Sequence, residues 1–198
     1  VHFYDPHAAY SPPPPFRDQY RNHLYDGEIA YMDAQLGRLL DHPRLKQAAP
    51  IVMVLADHGE SLGEHNLHFQ HTLCLYEEGI RIPLIIYNPN INNPKKIESQ
   101  VGSIDIMPTI LDLLEIPLIE NIDGKSMVPL INGVKDDRKH LFAENGELLY
   151  RQNNRAFYPG IRGKWRMIRT NEWKLLYIPH PENDIYELYN LKNDPHET

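Results

Sequence analysis

The chain has 198 residues, 41% of them hydrophobic and 24% charged, a balance suited to a folded domain that buries a core. A formal net charge of −7 with no Lys/Arg-rich run argues against a nucleic-acid surface, which needs clustered cations. No apolar stretch reaches the roughly 20 residues of a membrane helix, and neither a membrane span nor an export signal is expected within these residues.

In chain order, His2-Phe3-Tyr4 reads as the end of a strand, so the chain is expected to begin inside a fold. Pro12 to Pro15 lack backbone donors and predict an exposed, rigid, non-helical loop that carries Asp5-Pro6-His7. From Arg17 onward, Tyr25, Ile29, Met32, Leu36, Leu39 and Leu40 recur every three or four residues, which predicts an amphipathic helix ending before Pro43. Ile51 to Ala56 and Ile80 to Tyr87 are apolar runs of the kind that form strands buried on both faces, with Pro83 at a strand start or edge.

Ser103 to Leu114 predicts a helix with Pro108 in its first turn. This alternation of helices and strands predicts an α/β domain around a mostly parallel sheet over residues 1–134. Beyond it, His140 to Ala143, Lys164 to Arg169 and Trp173 to Ile178 are short strand candidates between turn residues. They predict a small antiparallel subdomain over residues 135–198, with Trp165 and Trp173 in its core.

The eleven histidines are unevenly spread: His2 and His7 fall in one short segment, and His58, His65, His68 and His71 in another. In open α/β sheets, ligands bind at the carboxyl ends of strands, which is where Asp57 and His58 fall. A carboxylate next to an imidazole can hold a divalent cation, and Gly59 lets the backbone turn away. Equally, Asp57 can cap the following turn while His58 is a satisfied core residue; two adjacent residues leave both readings open. Cys74 is the only cysteine, so the chain makes neither an internal disulfide nor a thiolate cluster. It is expected to be a small buried hydrophobe.

Several segments together resemble the sulfatases of the alkaline phosphatase superfamily. They are Asp57-His58-Gly59-Glu60-Ser61-Leu62-Gly63-Glu64-His65, then Tyr76-Glu77-Glu78-Gly79-Ile80-Arg81-Ile82-Pro83, and Asp5-Pro6-His7-Ala8-Ala9-Tyr10. Tyr25 to Asp33, Ser103 to Thr109, Asp123 to Ser126 and the closing Glu187 to Glu197 follow the family's order.

The resemblance implies an alkaline phosphatase-like α/β fold and hydrolysis of a sulfate ester on a small molecule or glycan. It implies Asp57 and His58 as ligands of a divalent metal, most often calcium. It also implies His7 as the imidazole that assists the leaving oxygen and His71 as a second imidazole facing the sulfate, although a lysine of some relatives aligns nearer Thr72. His65 and His68 are expected to support the loop, and Arg81 to pair with Glu77 or Glu78. Relatives are commonly exported or lysosomal.

The family's nucleophile, a formylglycine made from Cys or Ser in Cys/Ser-x-Pro-x-Arg, is not encoded in these residues. The chain is therefore expected to be the C-terminal part of such an enzyme, inactive alone, with nucleophile and further metal carboxylates upstream. Phosphodiesterases, phosphonate hydrolases and phosphoryl transferases of the same superfamily share the Asp-His tip. A noncatalytic metal- or anion-binding relative is the remaining alternative.

Overall fold

The computed structural model describes residues 1–70, 75–91, 94–118, 120–135, 138–145 and 164–198, with the side chains of 68–70 left out. The chain forms two compact units. The first comprises residues 1–54 and 85–93, and the second residues 55–84 and 94–198.

The first unit is built on helices. After the proline loop, α1 (Phe16–Gln19) is a single turn whose early N–H groups donate to the carbonyls of Pro13 and Pro15. A turn closed by His23 N–H to the Tyr20 carbonyl separates it from α2 (Leu24–Leu40). The periodic stripe predicts one helix from Arg17; the prolines instead start a separate turn, and the long helix begins only at Leu24.

Aromatic contacts tie the helix to the preceding segment, with Tyr25 edge-on to Tyr10 and Tyr31 against Phe16. Pro43 does not merely end α2. It occupies the first position of α3 (Pro43–Ala48), where its missing N–H costs nothing, and His42 caps that helix.

Strand β1 (Val52–Leu55) follows and pairs with β4 (Leu84–Tyr87). Burial on both faces is not observed: Ile85 is 60% and Tyr87 57% exposed, because a two-strand ladder leaves β4 uncovered on one side among the described residues. Residues 1–5 form no strand, and Pro12 is fully buried, not solvated.

In the second unit, β2 (Ser61–Leu62) and β3 (His68–Gln70) form a short antiparallel pair. Glu77–Ile80 is a helical turn, α4, where the sequence predicts strand from Ile80; the strand waits for Leu84, directly after Pro83. Helix α5 (Ile106–Leu113) holds Pro108 in its first turn, and α6 (Val128–Ile131) follows.

The antiparallel sheet runs β5 (Leu141–Glu144), β6 (Arg166–Arg169), β7 (Trp173–Ile178) and β8 (Ile185–Asn190) in chain order. Strand β8 overlaps the start of the closing Glu187 to Glu197 segment. Register pairs Met167 with Leu176 and Ala143 with Met167, so one face is apolar and packs inward.

That face joins Leu67, Leu75, Tyr76 and Trp165 with Met167, Leu176 and Ile178 in one buried cluster. Trp173 belongs to the opposite face, as the period-two alternation from Lys174 requires, and is 46% exposed and not in the core.

Candidate active site

Strand β1 ends at Leu55, and Ala56, Asp57 and His58 leave its carboxyl end. Two contacts hold the tip. Gly59 N–H donates to the Gly79 carbonyl at 2.8 Å, and a Cβ at Gly59 would fall 2.0 Å from the Glu78 carbonyl oxygen. Only glycine permits that approach, so the loop is pressed onto the Tyr76–Gly79 turn.

Asp57 is 85% exposed at its side chain, and its Oδ1 accepts the His58 N–H at 3.1 Å. His58 Nδ1 lies 2.9 Å from the Gly59 carbonyl, which can only accept. The proton therefore sits on Nδ1, and in the neutral ring Nε2 carries the lone pair, which is how a metal-binding imidazole is normally oriented. His58 Nε2 and Asp57 Oδ1 are 3.8 Å apart. Two neighbouring ligands of one cation lie roughly 3–4 Å apart when each bond is about 2.0–2.6 Å and the angle between them is about 90–110°. The pair thus fits two positions of a divalent cation's shell, one anionic and one neutral, and a complete shell needs further donors.

The turn beneath is locked by charge. Glu77 accepts from Arg169 at 3.1 and 3.2 Å and from Lys174 at 3.3 Å, so its expected partner Arg81, which is exposed, is replaced by two cations of the sheet. Lys174 is completely buried and also lies 2.7 Å from Glu197 Oε1. Glu197 Oε2 accepts the Glu77 N–H at 2.6 Å, satisfying an open donor at the start of α4. Burial pushes the Glu77 carboxyl up, but the Lys174 and Arg169 charges outweigh it and hold its pKa below the usual range. For Glu197, burial wins over Lys174 and its pKa is raised.

His65, Glu78 and Glu197 bring three further metal-type donor atoms within 4.8 Å of one another. The Lys174 ammonium already supplies positive charge to Glu197, and His65 lies flat on Tyr76 with ring centroids 3.7 Å apart. The group's Glu197 member is fastened by Lys174 and the Glu77 N–H, which ties the chain end to the α4 turn. Neither this network nor the role of Glu197 is legible from sequence, since its members are about 100 residues apart.

His7 lies in the first unit. Its Nδ1 donates to the Ala8 carbonyl at 2.7 Å, its ring stacks on Tyr4, and its backbone N–H donates to Glu28 Oε2 at 3.0 Å. Sequence reasoning passes over Glu28; the signal was a carboxylate among apolar positions of α2, and it is 4% exposed. His71 and Cys74 lie outside the described residues, as does the His68 side chain.

A sulfatase family model matches residues 1–116. The chain belongs to the sulfatase family. A second model, for the C-terminal part of N-sulphoglucosamine sulphohydrolase, matches residues 63–198 of this sulfatase chain. Arylsulfatase K of Gallus gallus is 28% identical over 88% of the chain, and choline-sulfatase of Rhizobium meliloti 31% identical over 86%.

The chain spans about a third of these relatives' length, 32% and 31% respectively. Among solved structures, the phosphonate monoester hydrolase of Silicibacter pomeroyi superposes with a TM-score of 0.70 at 27% identity, covering 86% of this chain and 35% of that one. The expected alkaline phosphatase-like fold, present in part, is therefore the fold of this chain.

Proposed function

We propose that this chain supplies the metal pair and the leaving-group acid of a hydrolase acting on sulfate esters of a small molecule or glycan. The observation that carries the reading is the 3.8 Å pairing of Asp57 Oδ1 with His58 Nε2, each oriented by its own loop backbone. Asp57 and His58 would hold a divalent cation, calcium by the family's habit, which when bound supplies positive charge to the nonbridging ester oxygens.

His7 keeps Nδ1 on the Ala8 carbonyl, so a second proton goes to Nε2. An adjacent ester anion favours that imidazolium, which then donates to the departing alcohol oxygen. His71 is assigned a second contact to the anion. The nucleophile comes from outside these 198 residues, which contain no Cys/Ser-x-Pro-x-Arg sequence, and these residues alone are expected to be inactive.

The test is metal content by mass spectrometry, together with hydrolysis of an aryl sulfate, for the full-length protein and its D57A and H58A variants. Each variant is expected to lose the bound metal and at least about 100-fold in kcat/KM while keeping its circular dichroism. Stoichiometric metal and undiminished turnover in both would overturn the reading. The phosphonate hydrolase likeness supports a second reading, hydrolysis of a phosphonate or phosphate ester at the same tip. A larger kcat/KM for an aryl phosphonate than for the aryl sulfate would select it.

A further inference from the structure

The loop carrying His7 is rich in proline yet has little secondary structure of its own, so something else must fix its imidazole. Helix α2 supplies it in two consecutive residues. Gly27 leaves room for the buried Pro12 ring, whose Cγ lies 2.9 Å from where a Cβ would be. Glu28, next in the helix, points a buried carboxylate at the loop and uses both oxygens there. Oε2 accepts the His7 N–H at 3.0 Å and Oε1 accepts the Ser11 N–H at 2.6 Å. The two ends of the 7–11 turn are thus fastened to one rigid side chain, and the His7 ring is held by the Ala8 carbonyl and the Tyr4 face.

We propose that Glu28 is a positioning residue for His7, clamping the 7–11 turn through two backbone N–H groups so that the imidazole keeps one orientation toward the ester. The inference rests on the role proposed for His7 above. A carboxylate suits the task because it has two acceptor oxygens and no donor, whereas glutamine would present its amide NH₂ to one of the two N–H groups. The cost of that mismatch is high because the group is buried. Displacing a catalytic group by about 1 Å can reduce turnover roughly 100-fold.

The experiment is a double-mutant cycle on the full-length protein with an aryl sulfate, using E28Q, E28A, H7A and the H7A/E28Q and H7A/E28A pairs. E28Q and E28A are expected to lower kcat roughly 10- to 100-fold with little change in KM, and to weaken the limb of the pH–rate profile owed to His7. On an H7A background either change should cost less than about 2-fold, because the group it positions is gone.

Full additivity with H7A in variants of unchanged circular dichroism, or near-normal kcat in E28Q, would overturn the proposal. E28Q preserves volume and carries the comparison where E28A fails to fold. Should H7A itself turn over normally, both the His7 role and the clamp fail. A costly H7A beside a harmless E28Q sinks the clamp alone.

Discussion

Replacing Gly59 by alanine tests whether the candidate metal tip is held by backbone contact with the Tyr76–Gly79 turn. The added Cβ would sit 2.0 Å from the Glu78 carbonyl oxygen and 3.0 Å from its carbonyl carbon. An ordinary carbon–oxygen contact is about 3.3 Å or longer, so the two segments must separate by more than about 1 Å. Backbone cannot swing aside as a side-chain end can, and the 2.8 Å bond from Gly59 N–H to the Gly79 carbonyl is lost in the process. Overpacking costs about 1–3 kcal/mol and the hydrogen bond about 1 kcal/mol, together about 2–4 kcal/mol.

For a domain of this size that corresponds to a fall of about 4–16 °C in Tm by scanning calorimetry. Metal affinity should fall with it, because Asp57 and His58 immediately precede the displaced residue. Gly37→Ala is the matched control. Gly37 lies within α2 with no heavy atom within 4 Å of a new Cβ, so alanine there should raise stability by about 0.5–1 kcal/mol. A G59A protein that melts within about 2 °C of the parent, or a G37A protein as damaged as G59A, would refute the reasoning.

Lys174→Ala should destabilise the protein by about 3–5 kcal/mol in urea unfolding, because it leaves the buried Glu197 carboxyl without its cation and Glu77 with Arg169 alone; an unchanged midpoint would show that the network is dispensable. Asp105 gives a pH dependence. Burial pushes its carboxyl up, but hydrogen bonds from the Arg138 guanidinium and the Lys125 and Gly102 N–H groups bring its pKa below the ordinary value. Since the folded value lies below the unfolded one, its stabilisation is fully present above about pH 4 and is lost as pH falls through the lowered folded value. Asp105→Asn should therefore be less stable at neutral pH, with the gap to the parent closing as the solution is acidified; a gap independent of pH would contradict this.

Where sequence reading succeeded, a residue's neighbours along the chain decided its environment. The stripe from Tyr25 to Leu40 places α2, β-branched and apolar runs place β1 and β7, and Pro108 in a first turn places α5. The candidate metal pair is legible for the same reason: its two members are adjacent, and each is oriented by the backbone of the next residue. Sequence reading failed where a partner came from afar. Arg81 is the nearer cation to Glu77, yet Arg169 and Lys174 bind it, and Pro12 is buried because Gly27 gives it a place.

Motifs that resemble a known family indicated the sulfatase family from sequence, and local periodicity placed α2, β1, α5 and β7 and the donor types at positions 57 and 58, because these depend on near neighbours along the chain. Only tertiary structure decided that Glu77–Ile80 coils into a turn, that Glu197 caps it, and that Glu28 grips the His7 loop. Each of these depends on a buried polar group finding a hydrogen-bond partner 17 to 120 residues away. Burial makes such a bond obligatory, but which partner satisfies it is fixed only once the chain has packed.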